Sequence, residues 1–348
     1  MFFRVVKLQY PAEIAARAEQ RDTHDMEAVV SAEQEKVTSV THWLSQRIIG
    51  QETLLERLMT ALLCGGHLLV EGAPGLAKTR AIKELASAVD GDFHRIQFTP
   101  DLLPSDITGT EVYRPEDGSF KFQHGPVFHN LLLADEVNRA PAKVQSALLE
   151  AMAEHQVSVG RETFPLPDLF LVMATQNPIE QEGTYPLPEA QLDRFLMHVT
   201  VGYPSEQAET AILHLVRQES SEGDSNTSPP YQLTQGDIFD ARRAILGLYM
   251  AEPIERYIVA LVMASREARG ELSQWLEFGA SPRGTIALDQ CARALAWLDR
   301  RDFVTPEDVQ AIAHDVLRHR LILTFDAEAQ GVTTDEIIDR LIEEVPVP

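Results

Sequence analysis

A glycine-rich segment of the chain ends in a lysine and a threonine, residue types that bind the phosphates of a nucleotide. The segment reads GAPGLAKT. In such a loop, backbone N–H groups surround the phosphate oxygens, the lysine contacts the β- and γ-phosphates, and the threonine hydroxyl binds Mg²⁺. The sequence therefore predicts a nucleotide-binding site made of Gly72, Ala73, Pro74, Gly75, Leu76, Ala77, Lys78 and Thr79.

Two adjacent acids follow an apolar run further along the chain. Leu131-Leu132-Leu133-Ala134 leads directly into Asp135 and Glu136. A carboxylate at the end of a buried strand can hold Mg²⁺ through water, and its neighbour can polarise a water for attack on the γ-phosphate. We predict the first role for Asp135, together with Thr79 at the metal, and the second for Glu136. ATP and Mg²⁺ are the cofactors that this combination implies, and ATP hydrolysis is the reaction.

Four polar residues outside these motifs are further candidates. Asn177 follows an apolar run at 169–175 and could orient the attacking water. Arg194 lies too far along the chain to reach its own nucleotide easily, which suggests an arginine finger that serves a neighbouring subunit. Arg283 is near a helix start, where the dipole disfavours a cation, and could contact the γ-phosphate from a lid. An asparagine turn and a surface ion pair of Arg194 are the ordinary alternatives, and the role of Arg139 is open.

The segments around these residues alternate between strand and helix. Such alternation predicts a mostly parallel sheet with helices on both faces. The glycine-rich loop lies between a strand and a helix at 80–89, whose N-terminus would point its N–H groups at an anion. Ala77 replaces the usual glycine, which is acceptable if that residue has right-handed helical φ. Strands are predicted at 67–71, 93–98, 130–135, 169–175 and 196–201.

Other patterns predict insertions and domains. Two segments of alternating polarity predict hairpins near 108–122 and 156–164, each directly before a strand. Two helices before the first strand are separated by a tight turn containing Ile49 and Gly50, which we include among the nucleotide-binding residues. The predicted domains are a tail or docking helix at 1–36, a nucleotide-binding core at 37–204, and a helical lid at 205–348 with a flexible loop at 219–230.

Composition restricts the class of protein. The chain has 348 residues, of which 44% are hydrophobic, and can bury a large core. Its apolar runs are shorter than the ~18 residues that a membrane span needs, and its start does not read as a secretory signal, so we expect a cytoplasmic protein. Cys64 and Cys291 are too few for a disulfide framework. The net charge of −23 disfavours nucleic acid as a partner.

Five motifs, GAPGLAKT, LLLADEVNRAP, ATQNP, EGTYPLPEAQLDRF and GASPRG, occur in an order that resembles the MoxR family of AAA+ ATPases. The resemblance covers roughly residues 40–345. It implies an α/β fold, an AAA+ P-loop αβα core with a mostly parallel sheet and inserted β-hairpins, followed by an all-helical lid. It also implies Walker A residues Lys78 and Thr79, Walker B residues Asp135 and Glu136, sensor 1 Asn177, finger Arg194 and sensor 2 Arg283.

Members of that family usually form hexameric rings and act as chaperone-like remodellers. The resemblance therefore implies a homo-oligomer, a protein client, and a partner with a von Willebrand factor A domain, in maturation or metal insertion of other proteins. A subunit similar to that of magnesium chelatase is a close variant of this interpretation.

Two functions from other classes stay open. A nucleic-acid motor is disfavoured by the net charge and by the hairpin tips, since RPEDGS is nearly neutral to acidic and Arg161 is balanced by Glu162. A scaffold that binds ATP without turnover is disfavoured because both Glu136 and Arg194 are present.

Overall fold

The computed structural model describes residues 32–116, 118–160, 162–178, 183–222 and 228–348. Most of the predicted tail lies outside these residues, as do Arg161 at the second hairpin tip and the middle of the loop predicted at 219–230. The predicted boundaries between tail, core and lid stay predictions.

The N-terminal part alternates between helices and strands, and each predicted strand is found within two residues of its expected limits. In chain order the elements are α1 (Ala32–Arg47), α2 (Glu52–Cys64), β1 (Leu68–Gly72), α3 (Lys78–Ala88), β2 (Phe93–Gln97), α4 (Pro104–Thr108), β3 (Gly109–Arg114), β4 (Ser119–His124), β5 (Leu131–Asp135), α5 (Ala142–Glu154), β6 (Gln156–Val159), β7 (Glu162–Pro165), β8 (Leu171–Gln176), α6 (Glu189–Leu192) and β9 (Met197–Val201).

Five of these strands form one parallel sheet in the order β2-β5-β8-β1-β9. Leu68 of β1 is in register with Met173 of β8 on one side and Met197 of β9 on the other. The predicted parallel sheet is confirmed. Because β8 lies between β1 and β5, the carboxyl ends of these three strands meet at one edge, where ligands bind in open α/β sheets.

Both faces of the sheet are covered, which explains the continuous apolar runs of its central strands. Leu68 and Val70 point into one buried cluster and Leu69 into another, as expected for a side-chain period of two. The first cluster contains Leu58 of α2 and continues to Leu295 in the C-terminal part. Core and lid therefore share one apolar interior.

The C-terminal part is helical, as predicted, with one exception. A short antiparallel ribbon, β10 paired with β11, is too brief to leave a periodic signal in the sequence. The first helix also continues through residues 219–222, which the sequence assigned to a loop. The elements are α7 (Glu206–Glu222), α8 (Gln235–Leu246), α9 (Glu252–Arg266), α10 (Leu272–Trp275), β10 (Leu276–Phe278), α11 (Pro282–Leu298), α12 (Pro306–Leu317), β11 (Ile322–Leu323), α13 (Phe325–Ala329) and α14 (Thr334–Glu344).

The two predicted hairpins are present and contact each other. β3 pairs with β4, and β6 pairs with β7, both antiparallel. The ring of Phe122 on the first hairpin stacks on that of Phe164 on the second, with centroids 4.1 Å apart and an interplanar angle of 18°. His124 and Phe128 pack against the same pair, forming a cluster of four rings at the hairpin bases.

Within the described part of the chain, the helices are too short or too polar to cross a bilayer.

A buried histidine, His67, connects the start of β1 to β8 and to α5. His67 precedes β1, and its Nδ1 accepts the backbone N–H of Val172 at 3.1 Å. Its Nε2 lies 3.3 Å from the carbonyl oxygen of Met152, which fixes the proton on Nε2. Burial lowers the pKa of His67 to about 4, against the opposing effect of the Met152 carbonyl.

This pKa predicts a loss of stability at mildly acidic pH. On unfolding, the pKa of His67 returns to the ordinary histidine value of 6.5, so below that pH the unfolded chain takes up the proton first. The stabilisation is complete above pH 6.5 and is lost as the pH falls to about 4, with about 2 kcal/mol lost by pH 5.

Urea unfolding at about pH 7.5 and about pH 5 measures this effect in wild type and in His67→Gln. We expect the free energy of unfolding to change between these two pH values by about 2 kcal/mol less in the variant than in wild type. The buried His319, whose pKa is also lowered, is common to both proteins and cancels. An unchanged pH dependence in the glutamine variant would contradict the role of His67.

Candidate functional site

The glycine-rich loop connects β1 to α3 and places Lys78 at the edge of the sheet. The Lys78 ammonium donates to the carbonyl oxygen of Gly72 at 2.6 Å and to that of Gln176 at 3.3 Å. It therefore lies between the ends of β1 and β8. Burial is the main cause that lowers the pKa of Lys78, and nearby carboxylates partly offset it.

The loop contains two left-handed residues. The φ of Gly75 is 84° and that of Ala77 is 56°. The expectation that Ala77 has right-handed helical φ is therefore wrong. A left-handed residue directly before a helix turns successive N–H groups toward one point, the arrangement that binds anions. This geometry is used at Ala77 although a residue with a Cβ costs about 1–2 kcal/mol there.

Most of the predicted loop residues line a single cavity. A cavity of about 310 Å³ is lined by residues 74–80 together with Asp135, Glu136, Thr175 and Asn177. The structure thus brings together Lys78, Thr79, both acids and the predicted amide. Gly72 and Ala73 do not line it. A Cβ on Gly72 would lie 2.7 Å from the carbonyl oxygen of Val201, so this glycine permits the close approach of β1 and β9.

Thr175 holds both acids and was missed in the sequence. Its hydroxyl donates to Asp135 Oδ1 at 2.6 Å and accepts the backbone N–H of Glu136 at 3.0 Å. Glu136 has a left-handed φ of 57°. Thr175 thus contacts the side chain of Asp135 and the backbone of Glu136.

Strand β2 supplies two further contacts to the acids. Arg95 Nη2 lies 2.6 Å from Asp135 Oδ2, and Gln97 Nε2 donates to Glu136 Oε2 at 2.8 Å. Arg139, whose role the sequence left open, lies with its Nε 3.2 Å from the same Glu136 oxygen. Sequence reasoning missed Arg95 and Gln97, because an alternating strand gives no sign of which neighbour it pairs with.

The donor set of the cavity fits Mg²⁺. Thr79 and Asp135 offer hard oxygen atoms, the ligands that Mg²⁺ prefers, and Mg²⁺ at nucleotide sites is commonly held by one or two protein groups, phosphates and water. The described residues contain no group of three metal-binding side chains. A Mg²⁺ ion at this position would therefore be bound jointly by Thr79, Asp135 and a bound phosphate chain.

Asn177 lies at the end of the strand between the loop and the acids, as the sequence predicted. It follows Gln176 of β8 and is 6% exposed. The side chain shares the cavity with Lys78 and Glu136. Its role in orienting water stays a prediction.

A second cavity, of about 230 Å³, adjoins the glycine-rich loop on its other side. Ile49 lines it, but Gly50 does not: a Cβ there would lie 2.8 Å from that of Ala208. Most of the side chains that line this cavity are apolar. Sequence reasoning missed its other apolar lining residues, which lie around and beyond the predicted domain boundary: Tyr203, Pro204, Ile212, Leu215 and Val216.

Arg194 and Arg283 lie together in a third cavity, of about 250 Å³. This cavity shares no lining residue with the one that contains Lys78 and Glu136. Arg194 lies two residues after the end of the helix α6. Arg283 Nη1 is 3.9 Å from Asp193 Oδ2. The structure therefore places both arginines in a cavity separate from the one that the nucleotide loop lines.

The hydroxyl of Thr175 gives a testable contribution. We expect Thr175→Val to lower kcat for ATP hydrolysis by about tenfold, because Asp135 loses a donor and Glu136 loses the bond that sets its backbone. The buried N–H left unpaired should also reduce the free energy of unfolding by about 1–3 kcal/mol.

Steady-state phosphate release and urea unfolding measure the two effects. Thr175→Ser keeps the hydroxyl and serves as the control. If the valine and serine variants had the same kcat and the same free energy of unfolding, the hydroxyl would have no such role.

Comparison with known proteins agrees with this geometry. A model for the ATPase family associated with various cellular activities (AAA) matches residues 67–197, and one for the AAA lid domain matches residues 272–341. The chain is 47% identical to Chaperone MoxR1 of Mycobacterium tuberculosis over 308 residues, 86% of this chain and 79% of that protein. It is 30% identical to Protein MoxR of Methylorubrum extorquens over 322 residues, 88% of this chain and 93% of that protein.

A solved structure extends the similarity to three dimensions. The crystal structure of a protein from Cytophaga hutchinsonii, itself only proposed to be an ATPase, matches with a TM-score of 0.83 and 42% identity, covering 97% of this chain and 100% of that chain. The resemblance drawn from the five sequence motifs is confirmed. The chain belongs to the MoxR family of AAA+ ATPases.

Proposed function

We propose that this protein hydrolyses ATP at sites formed between neighbouring copies in a ring, and uses the resulting movements to remodel a protein client. Membership of the MoxR family supports a chaperone-like ATPase. The hexameric ring, the client and a location in the cytoplasm are proposals that extend this assignment.

One observation carries the proposal of a shared site. Lys78 and Glu136 line one cavity, whereas Arg194 and Arg283 line another that has no residue in common with it. A phosphoryl-transfer site needs cationic groups on the γ-phosphate in the transition state. In a ring with head-to-tail interfaces, the arginines of one copy can meet the phosphates held by the next.

The paired hairpins supply a surface for the client. Tyr113 and Phe120 lie opposite each other on the first hairpin, with side chains 53% and 67% exposed and ring centroids 5.2 Å apart. Exposed aromatic side chains on a projecting hairpin suit contact with apolar segments of a protein. Insertion of a metal into that client, and a partner with a von Willebrand factor A domain, rest on the family resemblance alone.

Mixing two inactive variants tests the shared site. Glu136→Gln keeps the finger but lacks the catalytic carboxylate, and Arg194→Ala keeps the carboxylate but lacks the finger. In a random mixed ring, about a quarter of the sites would combine an intact carboxylate with an intact finger. We expect phosphate release well above the sum of the two separate variants.

Mass photometry with ATP and Mg²⁺ confirms that the mixed species are rings. A mixture of rings without gain in hydrolysis would refute a site shared between copies. A protein that ignores adenine nucleotides in calorimetry, or that stays monomeric at saturating ATP and Mg²⁺, would refute the proposed function as a whole.

A further inference from the structure

A short turn of the lid is bonded to the segment that carries Arg194. Residues 318–320 form a 3-10 turn after α12. His319 Nε2 and Arg320 Nη2 both donate to the carbonyl oxygen of Phe195, at 3.1 Å and 2.7 Å. Arg318 Nη1 donates to the carbonyl oxygen of His198 at 2.5 Å. Three consecutive lid residues therefore hold the chain directly after Arg194.

Asp193, the residue before Arg194, accepts hydrogen bonds from two separate lid residues. Asp193 Oδ1 accepts from Arg320 Nε at 2.8 Å, and its Oδ2 accepts from the hydroxyl of Ser281 at 2.8 Å. Arg283, the second arginine of the cavity, lies 3.9 Å from the same Oδ2. One carboxylate thus joins the candidate finger segment to two separate parts of the lid.

Burial makes the contact between Arg320 and Asp193 a strong constraint. The Arg320 side chain is 2% exposed and that of Asp193 is 19% exposed. Separating a buried guanidinium from its carboxylate leaves an uncompensated charge, which is far more costly than opening an ion pair at the surface. Arg320 also donates to the carbonyl oxygen of Leu196 at 3.1 Å, so the segment is held by its backbone as well.

The other end of the lid lies beside the nucleotide loop of the same chain. Leu215 of α7 lines the apolar cavity next to that loop. Arg80, at the edge of the loop, forms an ion pair with Glu219 of the same helix, with Nη1 3.1 Å from Oε2. The lid therefore makes two contacts with its own core. Its helix α7 contacts the nucleotide loop, and its residues 318–320 contact the segment around Arg194.

We propose that Arg320 and Asp193 are positioning residues that fix Arg194 to the lid, so that the lid position of one subunit sets the finger presented to its neighbour. This inference rests on the proposed function, because it requires Arg194 to act on the adjoining subunit. It adds two residues that neither bind nucleotide nor touch phosphate, and that determine where the finger lies.

Arg320→Lys removes the guanidinium group that bonds Asp193 and the backbone at once, and Asp193→Asn removes the negative charge, both with little change in volume. We expect each to lower kcat for ATP hydrolysis by about tenfold or more and to leave KM for ATP within about threefold of wild type, because the nucleotide pocket of the same chain is untouched. Mixing either variant with Glu136→Gln should restore hydrolysis, as mixing Arg194→Ala with Glu136→Gln does.

Arg57→Lys is the matched control. Arg57 is a buried arginine of α2 that also ties core to lid, with its Nε 2.7 Å from Asp315 Oδ2 and its Nη2 2.6 Å from the carbonyl oxygen of Ala311. The hydrogen bonds of Arg57 go to Asp315, Ala311 and Glu56, and among the described residues its only link to the finger segment is indirect, through Asp315 Oδ1, which lies 3.2 Å from Arg318 Nη1. We expect Arg57→Lys to lower the melting temperature as much as Arg320→Lys does, with kcat within about threefold of wild type.

Two results would overturn the proposal. The first is an equal loss of kcat in Arg57→Lys and Arg320→Lys, which would mean that any weakening of the attachment between core and lid suffices. The second is no recovery when Asp193→Asn is mixed with Glu136→Gln, under conditions where Arg194→Ala recovers. If Arg320→Lys does not fold, Asp193→Asn decides alone.

Failure of the proposed function gives a different result. In that case the mixture of Arg194→Ala with Glu136→Gln shows no recovery either, and the shared site itself is refuted.

Discussion

Replacing Glu136 with glutamine should abolish steady-state ATP hydrolysis while leaving ATP binding intact. Glu136 lines the same cavity as Lys78 and Thr79, and we propose that its carboxylate polarises the attacking water. Glutamine keeps the shape and can still bond to Gln97, but it cannot accept a proton. General base catalysis typically contributes about 10²–10⁴ in rate, so we expect phosphate release to fall by at least a hundredfold.

Calorimetric titration with ATP and Mg²⁺ checks that binding survives in this variant. Glu150, an exposed acid on α5, offers a matched control, and Glu150→Gln should retain wild-type turnover. Phosphate release above about a tenth of wild type in Glu136→Gln would remove this residue from its assigned role. The variant also gives a trap: affinity capture with ATP should retain the client protein for identification.

Replacing Arg194 with alanine should lower kcat for ATP hydrolysis at least as much, because the transition state loses a cation rather than a general base. Arginine fingers contribute about 10³–10⁵ in kcat where they have been measured, because they neutralise charge that develops in the transition state. Arg194 does not line the cavity of the nucleotide loop of its own chain, so the isolated subunit should bind ATP with near-normal affinity. The expected signature is a lost kcat with an unchanged dissociation constant for ATP.

The conservative variant separates charge from geometry at this position. Arg194→Lys keeps a cation but loses the planar fork that bonds two phosphate oxygens at once, so we expect it to recover only a small part of the activity. Full activity of Arg194→Ala would exclude the finger. Loss of ATP binding by the Arg194→Ala monomer would instead place this arginine at the nucleotide of its own chain.

Local features of the fold were predictable from the sequence. The strand, loop and helix around Lys78, and the apolar run before Asp135, are short patterns whose meaning depends on neighbouring residues only. Once the strands are known to be parallel, their carboxyl ends must share an edge. This explains why Lys78, Asp135 and Asn177 lie in one cavity as expected.

Features that depend on distant contacts were not predictable. Thr175 reads as an ordinary strand residue, because β-branched side chains are common in strands, and only the sheet order brings it to the acids. The position of Arg283 follows from how α11 packs against the segment at Asp193. The left-handed φ of Ala77 contradicts local preference, since glycine is the residue that adopts this conformation without strain.

The four rings at the hairpin bases couple the two inserted hairpins mechanically. The first hairpin leads into β5, which ends at Asp135, and the second leads into β8, which ends at Gln176 beside the candidate water-orienting amide. Because Phe122 and Phe164 stack, the two hairpins are joined to each other, and each is continuous with a different strand of the sheet. A displacement of either hairpin would therefore be transmitted to both strands, and so to Asp135 and Asn177 at their carboxyl ends.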